Sequence, residues 1–283
     1  MTTRLPELAG AWYPNQEKEC LAEFDSFEQT SVPWQGEHTL RGGILPHAGW
    51  SFSGRLAYNV VREIASRNPN MDTVILYAGH LSPNAPISIM TTGDYWTPLG
   101  PIPTDEELAT QVAQQRGVHQ ETPENHSQDN SAEVQFPLIK RFFKNARLVV
   151  VNAPPRPEIL TFADALAKTA TQLNRKIAIL GSTDLTHYGP NYAWTPRGTG
   201  HDAIEWVSQE NDPPFIEAVR NMDPHAILQI AREHKNACCA GAAAAAVQTA
   251  SRLGSKTGEL LGYATSAEIH PSSSFVGYAA MVF

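Results

Sequence analysis

His47, His80, the pair Asp184 and His187, and Cys239 are the residues of this chain whose types and positions could do chemistry. His47 follows the apolar run Gly43-Ile44-Leu45-Pro46, and His80 follows Val74-Ile75-Leu76-Tyr77-Ala78-Gly79. Asp184 and His187 come just after Ile177-Ala178-Ile179-Leu180-Gly181. Each run has the length of a buried strand. The polar residues therefore stand at carboxyl ends of strands, where ligands and chemistry collect in open α/β sheets. Cys239 opens an Ala-rich helical segment, and a helix N-terminus favours the thiolate. If these ends converge, two imidazoles and a thiolate share one pocket. Imidazole suits zinc, copper and iron, and thiolate adds a preference for soft or redox-active metals. Three protein ligands leave positions open for water or substrate, the pattern of a catalytic site. Asp184 could orient a ligand histidine, and His187 could exchange a proton with a bound molecule. Plainer roles stand beside these: Asp is a preferred helix cap, histidine is common in loops, and the spacing matches no zinc-finger regularity.

The elements that must position these residues alternate strand with helix. Asn15 can cap a helix to about Phe27, with Cys20, Leu21, Phe24 and Phe27 at helical spacing, which makes Cys20 a core residue. A helix follows the His47 loop to about Ser66. Ile87–Thr91 reads as a strand, and Thr104-Asp105-Glu106-Glu107 as a capping box opening a helix. Residues 117–130 read as a polar loop, and 131–143 as a helix that Pro137 kinks or interrupts. Arg147–Val151 is a buried strand and Glu158–Leu173 a helix. Short helices are expected near 201–210 and 213–221, then one capped by Asp223 with Pro224 in its first turn. Glu259–Ala267 and Phe275–Phe283 read as closing strands. This order predicts one α/β domain over residues 1–283, a central and mostly parallel sheet covered by helices.

Composition narrows the function. The 283 residues suffice for one sizeable core. A net charge of −8 without a dense basic run speaks against nucleic acid as partner. No stretch reaches the ~18 apolar residues of a membrane span, and the start lacks the apolar core of a secretory signal. Only Cys20, Cys238 and Cys239 are present, which fits a reducing cytoplasm with free thiols. A bridge between the adjacent Cys238 and Cys239 fits disulfide geometry poorly. There is no Gly-rich phosphate loop and no nucleophile-elbow serine. His38, His119, His126, His225, His234 and His270 read as surface or cap residues. His201, Asp202 and Glu133 could line the rim of a pocket.

Five segments occur in order: Ala9-Gly10-Ala11-Trp12-Tyr13-Pro14, Pro46-His47-Ala48-Gly49-Trp50-Ser51-Phe52-Ser53-Gly54, Ser131-Ala132-Glu133-Val134-Gln135-Phe136-Pro137, Ser182-Thr183-Asp184-Leu185-Thr186-His187-Tyr188-Gly189 and Asn236-Ala237-Cys238-Cys239. Together they resemble the Memo family, whose prokaryotic members are labelled AmmeMemoRadiSam system protein B. That family is similar in fold to class III extradiol dioxygenases, the non-haem iron enzymes that open catechol rings. The resemblance implies a metal pocket with His47, His80 and Cys239 as ligands and with Asp184 and His187 beside it. It also implies iron or copper and redox chemistry, and the human relative is described as a signalling and peptide-binding protein. The chain departs from the pattern in three places. His80 is followed by Leu81 where the family usually has a second histidine. Asp129-Asn130-Ser131 replaces a frequent Glu-His-Ser. Ala240-Gly241 replaces Gly-Arg after the cysteine, and Cys238 is an extra thiol. Leu81 and Asn130 remove polar groups from the substrate side, so the metal site is expected to survive while substrate choice changes.

These readings lead to an expectation of a mononuclear non-haem metalloenzyme that activates O2 toward a small organic substrate. Iron(II) is the first choice of cofactor and copper the second. Nucleic acid and membrane are not expected as partners. A rival expectation is a module that binds a peptide or small ligand without chemistry, with Trp12, Tyr13, Trp50 and Tyr188 lining a groove. A third is copper or iron buffering at the same site.

Overall fold

The computed structural model describes residues 2–283. From the N-terminus the chain forms β1 (Thr3–Arg4), α1 (Glu17–Thr30), β2 (Gly42–Leu45), α2 (Arg55–Arg67), β3 (Thr73–Ala78) and β4 (Ile87–Met90). Then come β5 (Asp94–Tyr95), β6 (Ile102–Pro103), α3 (Glu106–Ala113), β7 (Val118–Glu121), α4 (Asn130–Glu133), α5 (Phe136–Phe142), β8 (Arg147–Asn152) and α6 (Glu158–Gln172). The remainder is β9 (Ile177–Ser182), β10 (His187–Tyr188), α7 (His201–Trp206), α8 (Pro213–Arg220), α9 (Pro224–His234), α10 (Ala240–Arg252), β11 (Glu259–Thr265) and β12 (Phe275–Val282).

The main sheet runs β10-β12-β2-β9-β3-β8-β4-β7, with β11 also on β12. Its centre, β2-β9-β3-β8, is parallel. Both margins carry antiparallel pairs, β12 against β2 and β4 against β8. The α/β class and the parallel centre match the expectation, and the antiparallel margins were not anticipated. For β4 the cause is connection length: the short link from β3 cannot hold the dozen or more residues of a parallel crossover, so β4 runs against β3 and against its parallel neighbour β8. The central strands are apolar without interruption because both faces are covered. In β3, Ile75 and Tyr77 join the core under α3, α6 and α10, while Val74, Leu76 and Ala78 join the one under α2 and α5.

The Ala-rich α10 lies close to the sheet. A Cβ on Gly181 of β9 would sit 2.8 Å from the Ala246 Cβ, and one on Gly241 would sit 2.2 Å from the Ala153 carbonyl oxygen. Small residues on both sides are therefore what lets the α10 N-terminus reach the sheet's carboxyl edge.

Several local expectations need correction. Asp105, not Thr104, caps α3: its carboxylate accepts from the Leu108 N–H at 3.3 Å. The stretch 117–130 contains the edge strand β7, whose Val-His-Gln-Glu sequence lacks an apolar run. The segment 131–143 is interrupted as expected, into α4 and α5, with Pro137 in the first turn of the second. A small sheet of β1, β5 and β6 was not foreseen, since two-residue strands carry no readable period. Asp223 does cap α9, accepting from the Ala226 N–H at 2.9 Å, and Cys20 is fully buried.

Candidate metal centre

β2, β3 and β9 are parallel neighbours, so His47, His80 and the segment 183–187 leave the sheet at one edge. The turn to His80 needs Gly79, whose φ of +103° is costly for residues with a side chain. There the Nε2 atoms of His47 and His80 stand 3.2 Å apart. The Cys238 Sγ lies 3.2 Å from the His47 Nε2. One ligand atom each from His47, His80, Cys238 and Cys239 falls within 4.8 Å of the others.

Each ring is held by its other nitrogen. The His80 Nδ1 faces the Asp129 carboxylate at 3.1 Å, and the His80 backbone N–H donates to the same group at 2.7 Å. The His47 Nδ1 faces the Ser182 hydroxyl at 3.0 Å, and its backbone N–H donates to Asp184 Oδ1 at 2.6 Å. The His47 carbonyl accepts from the Asn130 amide at 3.1 Å. The two cysteines hang on the end of β9: the Cys239 N–H donates to the Thr183 hydroxyl at 3.0 Å and the Cys238 N–H to the Asp184 carbonyl at 3.2 Å.

The electrostatics favour a cation at the convergence point. Burial works against charge on both rings and is outweighed. Asp129 and Cys238 push His80 up to about 10, while Asp184 and Cys238 raise His47. Asp129 itself is lowered despite its burial by the His80 partner. Burial raises Asp184, partly offset by His47. The two thiols split. Burial would raise both, yet Cys238 is drawn well below the usual thiol range by the Cys239 S–H and the His47 ring. Cys239 is pushed well above that range by burial and by its neighbour's charge. These directions make Cys238 the more acidic of the two thiols.

This donor set fits a metal ion. With both Nδ1 atoms donating and the rings deprotonated, as ligation requires, two Nε2 lone pairs and the Cys238 sulfur would face one point, where a metal cation takes the place of the protons that this electronegative site otherwise favours. Bonds of about 2.0–2.3 Å in a tetrahedron would space neighbouring donors roughly 3.3–3.7 Å apart, close to the 3.2 Å found for two pairs. Asp129 and Ser182 orient the rings as partners of metal-bound histidines do.

The structure thus brings His47, His80 and Cys239 together and adds Cys238, which had read as a spare thiol and makes the closer contact. Asp129 also escaped the sequence reading as a site residue, although its segment was already marked as a departure. Asp184 and His187 both line a cavity of about 670 Å³ that opens over His47 and His80. The His187 Nε2 is buried and has no hydrogen-bond partner among the described residues. The rim is Trp12, Phe52 and Tyr192, 38%, 40% and 43% exposed. The expected aromatic groove needs correction, because Tyr13, Trp50 and Tyr188 are buried. Trp50 packs among Tyr13, Phe24 and Phe27, and Tyr188 stacks on Phe275. His201 and Asp202 are exposed outside this cavity, whereas His270, exposed as expected, also lines it. Glu133 is also not at the rim. It is buried, accepting from the N–H groups of Glu7 and Leu8 and from the Tyr13 hydroxyl.

Asp212 anchors the segment that carries His187. It accepts from the Thr186 N–H at 3.2 Å, from the Thr186 hydroxyl and from the Tyr263 hydroxyl at 2.8 Å. Burial pushes its carboxyl up to about 6 although these hydrogen bonds pull the other way. The unfolded group ionises near 3.9. The stability gained by keeping it protonated is therefore full below about pH 4 and lost as pH rises through 6. Relative to Asp212→Asn, the wild type is expected to lose about 2 kcal/mol between pH 4 and pH 7. Urea unfolding of both proteins at the two pH values checks this, and a gap that does not change with pH would clear Asp212 of the effect.

Among the described residues, no helix is long and apolar enough to cross a membrane. A family model described as Memo-like protein matches residues 4–282. A MEMO1 family protein of Thermococcus onnurineus is 30% identical, covering 99% of this chain and 99% of its own length. Another, from Methanopyrus kandleri, is 30% identical over 99% of this chain and 98% of its own. A third, from Methanosarcina barkeri, is 30% identical over 99% of both. With matches that run nearly end to end, this chain belongs to the Memo family.

Proposed function

We propose that this protein is a mononuclear non-haem metalloenzyme that activates dioxygen toward a small organic molecule, with iron(II) as its metal and copper as the alternative. The observation behind the reading is the meeting of the Nε2 atoms of two histidines that line an open cavity, 3.2 Å apart, with the Cys238 sulfur, 3.2 Å from the His47 Nε2. His47, His80 and Cys238 would hold the ion, with Cys239 donating its S–H to the Cys238 sulfur or serving as a further ligand. Such an ion supplies electrons and open coordination positions for dioxygen.

The rest falls to the protein. Asp129 fixes the His80 tautomer, and Asp184 holds the His47 backbone. His187 lines the cavity, its buried Nε2 has no hydrogen-bond partner among the described residues, and its ring would exchange a proton with the bound molecule. Among the described residues, no lysine or arginine lines this cavity. An aromatic rim and neutral serines and asparagines suit an uncharged, flat molecule bearing hydroxyl groups. The three free thiols suit a cytoplasmic setting.

The test is metal content after anaerobic purification or reconstitution, followed by oxygen uptake with a panel of phenols and catechols. About one iron or copper per chain, with substrate-dependent uptake, is the expected outcome. Failure to take up either metal would end the proposal. A second reading, ligand binding without chemistry, draws on the three exposed rim aromatics. It predicts a bound ligand that is unchanged on recovery and whose affinity does not depend on metal.

A further inference from the structure

A second cavity, of about 580 Å³, lies beyond the one over the histidines. His187 and Tyr192 line both, so these two rings form the wall between them. Cys238 lines the second cavity and not the first. A smaller space of about 320 Å³ continues from it past Cys238 and Arg232. The centre is thus approached from two sides, one over the histidine nitrogens and one over the sulfur.

The two sides differ in charge. Arg232, in the last turn of α9, and Lys235, just after it, both line the second cavity, while among the described residues no aspartate or glutamate does. Both are exposed, and among the described residues neither is in an ion pair. In a chain of net charge −8, two free cations at one concave site form a local reversal of sign. Away from His187 and Cys238, the remaining wall is apolar and aromatic, with Leu185, Tyr192 and Trp194 its largest members. Inorganic anions gain nothing from such a wall, whereas an organic anion buries its body there and offers its head to the cations. The planar guanidinium of Arg232 suits a carboxylate in particular, because it can donate two parallel hydrogen bonds.

We propose that this second cavity is a binding site for a small aromatic or aliphatic carboxylate. Arg232 and Lys235 take the head group, and Trp194 and Leu185 take the body against the Cys238 side of the centre. The site goes beyond the proposed oxygen chemistry and does not depend on it, since its anion-binding residues are not among the candidate metal ligands.

Titration calorimetry of the full-length protein with benzoate at low ionic strength tests the site. Benzyl alcohol and inorganic phosphate serve as comparators. Saturable benzoate binding is expected, weakened at least about tenfold when the carboxylate is replaced by the alcohol. The double variant Arg232→Gln/Lys235→Gln is expected to weaken benzoate by a similar factor and to leave metal content unchanged. Trp12→Ala, at the rim of the first cavity, should leave benzoate affinity unchanged. The proposal is overturned by absence of saturable benzoate binding at millimolar concentrations, by undiminished binding in the double variant, by loss of binding in Trp12→Ala, or by phosphate binding as tightly as benzoate.

Discussion

Replacing His47 by alanine is expected to abolish the proposed metal binding. The substitution removes the Nε2 that lies 3.2 Å from both its His80 and its Cys238 counterparts. Second-sphere changes alone cost 10–100-fold in affinity, so deleting a ligand should cost at least about 100-fold. Equilibrium dialysis against a competing chelator, with metal read by mass spectrometry, measures it. Asp129→Asn should fall about 10–100-fold, because the amide no longer holds the His80 ring as the carboxylate does. The cysteines separate two ligand sets. If the thiolate assignment is right, Cys238→Ser matches the loss of His47→Ala and Cys239→Ser costs about tenfold or less. Equal losses would make both sulfurs ligands. Retention of full affinity by His47→Ala would remove the metal centre from this pocket altogether.

Glu133→Ala should be strongly destabilising, although Glu133 does not touch the centre. Glu133 is 3% exposed and satisfies the Glu7 N–H at 2.9 Å, the Leu8 N–H at 2.8 Å and the Tyr13 hydroxyl at 3.0 Å. Truncation leaves three donors without their acceptor at about 1–3 kcal/mol each. With partial rescue by water, the expected loss is about 3–5 kcal/mol. Glu133→Gln keeps one acceptor oxygen and should cost about half as much. The effect reaches the cavity, because the same segment carries Trp12, whose carbonyl accepts from the Trp50 N–H at 2.8 Å. Denaturant unfolding gives the stability, and proteolysis near the N-terminus should accelerate in the alanine variant. A loss under about 1 kcal/mol would show that the segment is held by other contacts.

The sequence by itself determined the α/β class and the strand ends that meet. β3, β8 and β9 are legible because a strand covered on both faces must be apolar at every position, a pattern that needs no partner to read. His47, His80, Asp184 and His187 are legible for the same reason, since each follows such a run. The Asp223–Pro224 start of α9 is equally local, one carboxylate meeting one N–H three residues on.

Tertiary structure decided what depends on direction and distance. Adjacent cysteines cannot be told apart by spacing. The hydrogen bonds from Cys238 to the Asp184 carbonyl and from Cys239 to the Thr183 hydroxyl set which sulfur turns toward His47. Asp129 reaches His80 across 49 residues of chain, and Glu133 reaches Leu8 across 125. Neither partner leaves a local trace. Tyr13, Trp50 and Tyr188 have the composition of a binding groove but fill the core, because an aromatic ring gains from burial on either side of the backbone. A polar edge strand such as β7 exists only because β4 offers it a ladder to join. The apolar pattern is written residue by residue along the chain, whereas the orientation of each polar group is settled by neighbours that folding brings to it.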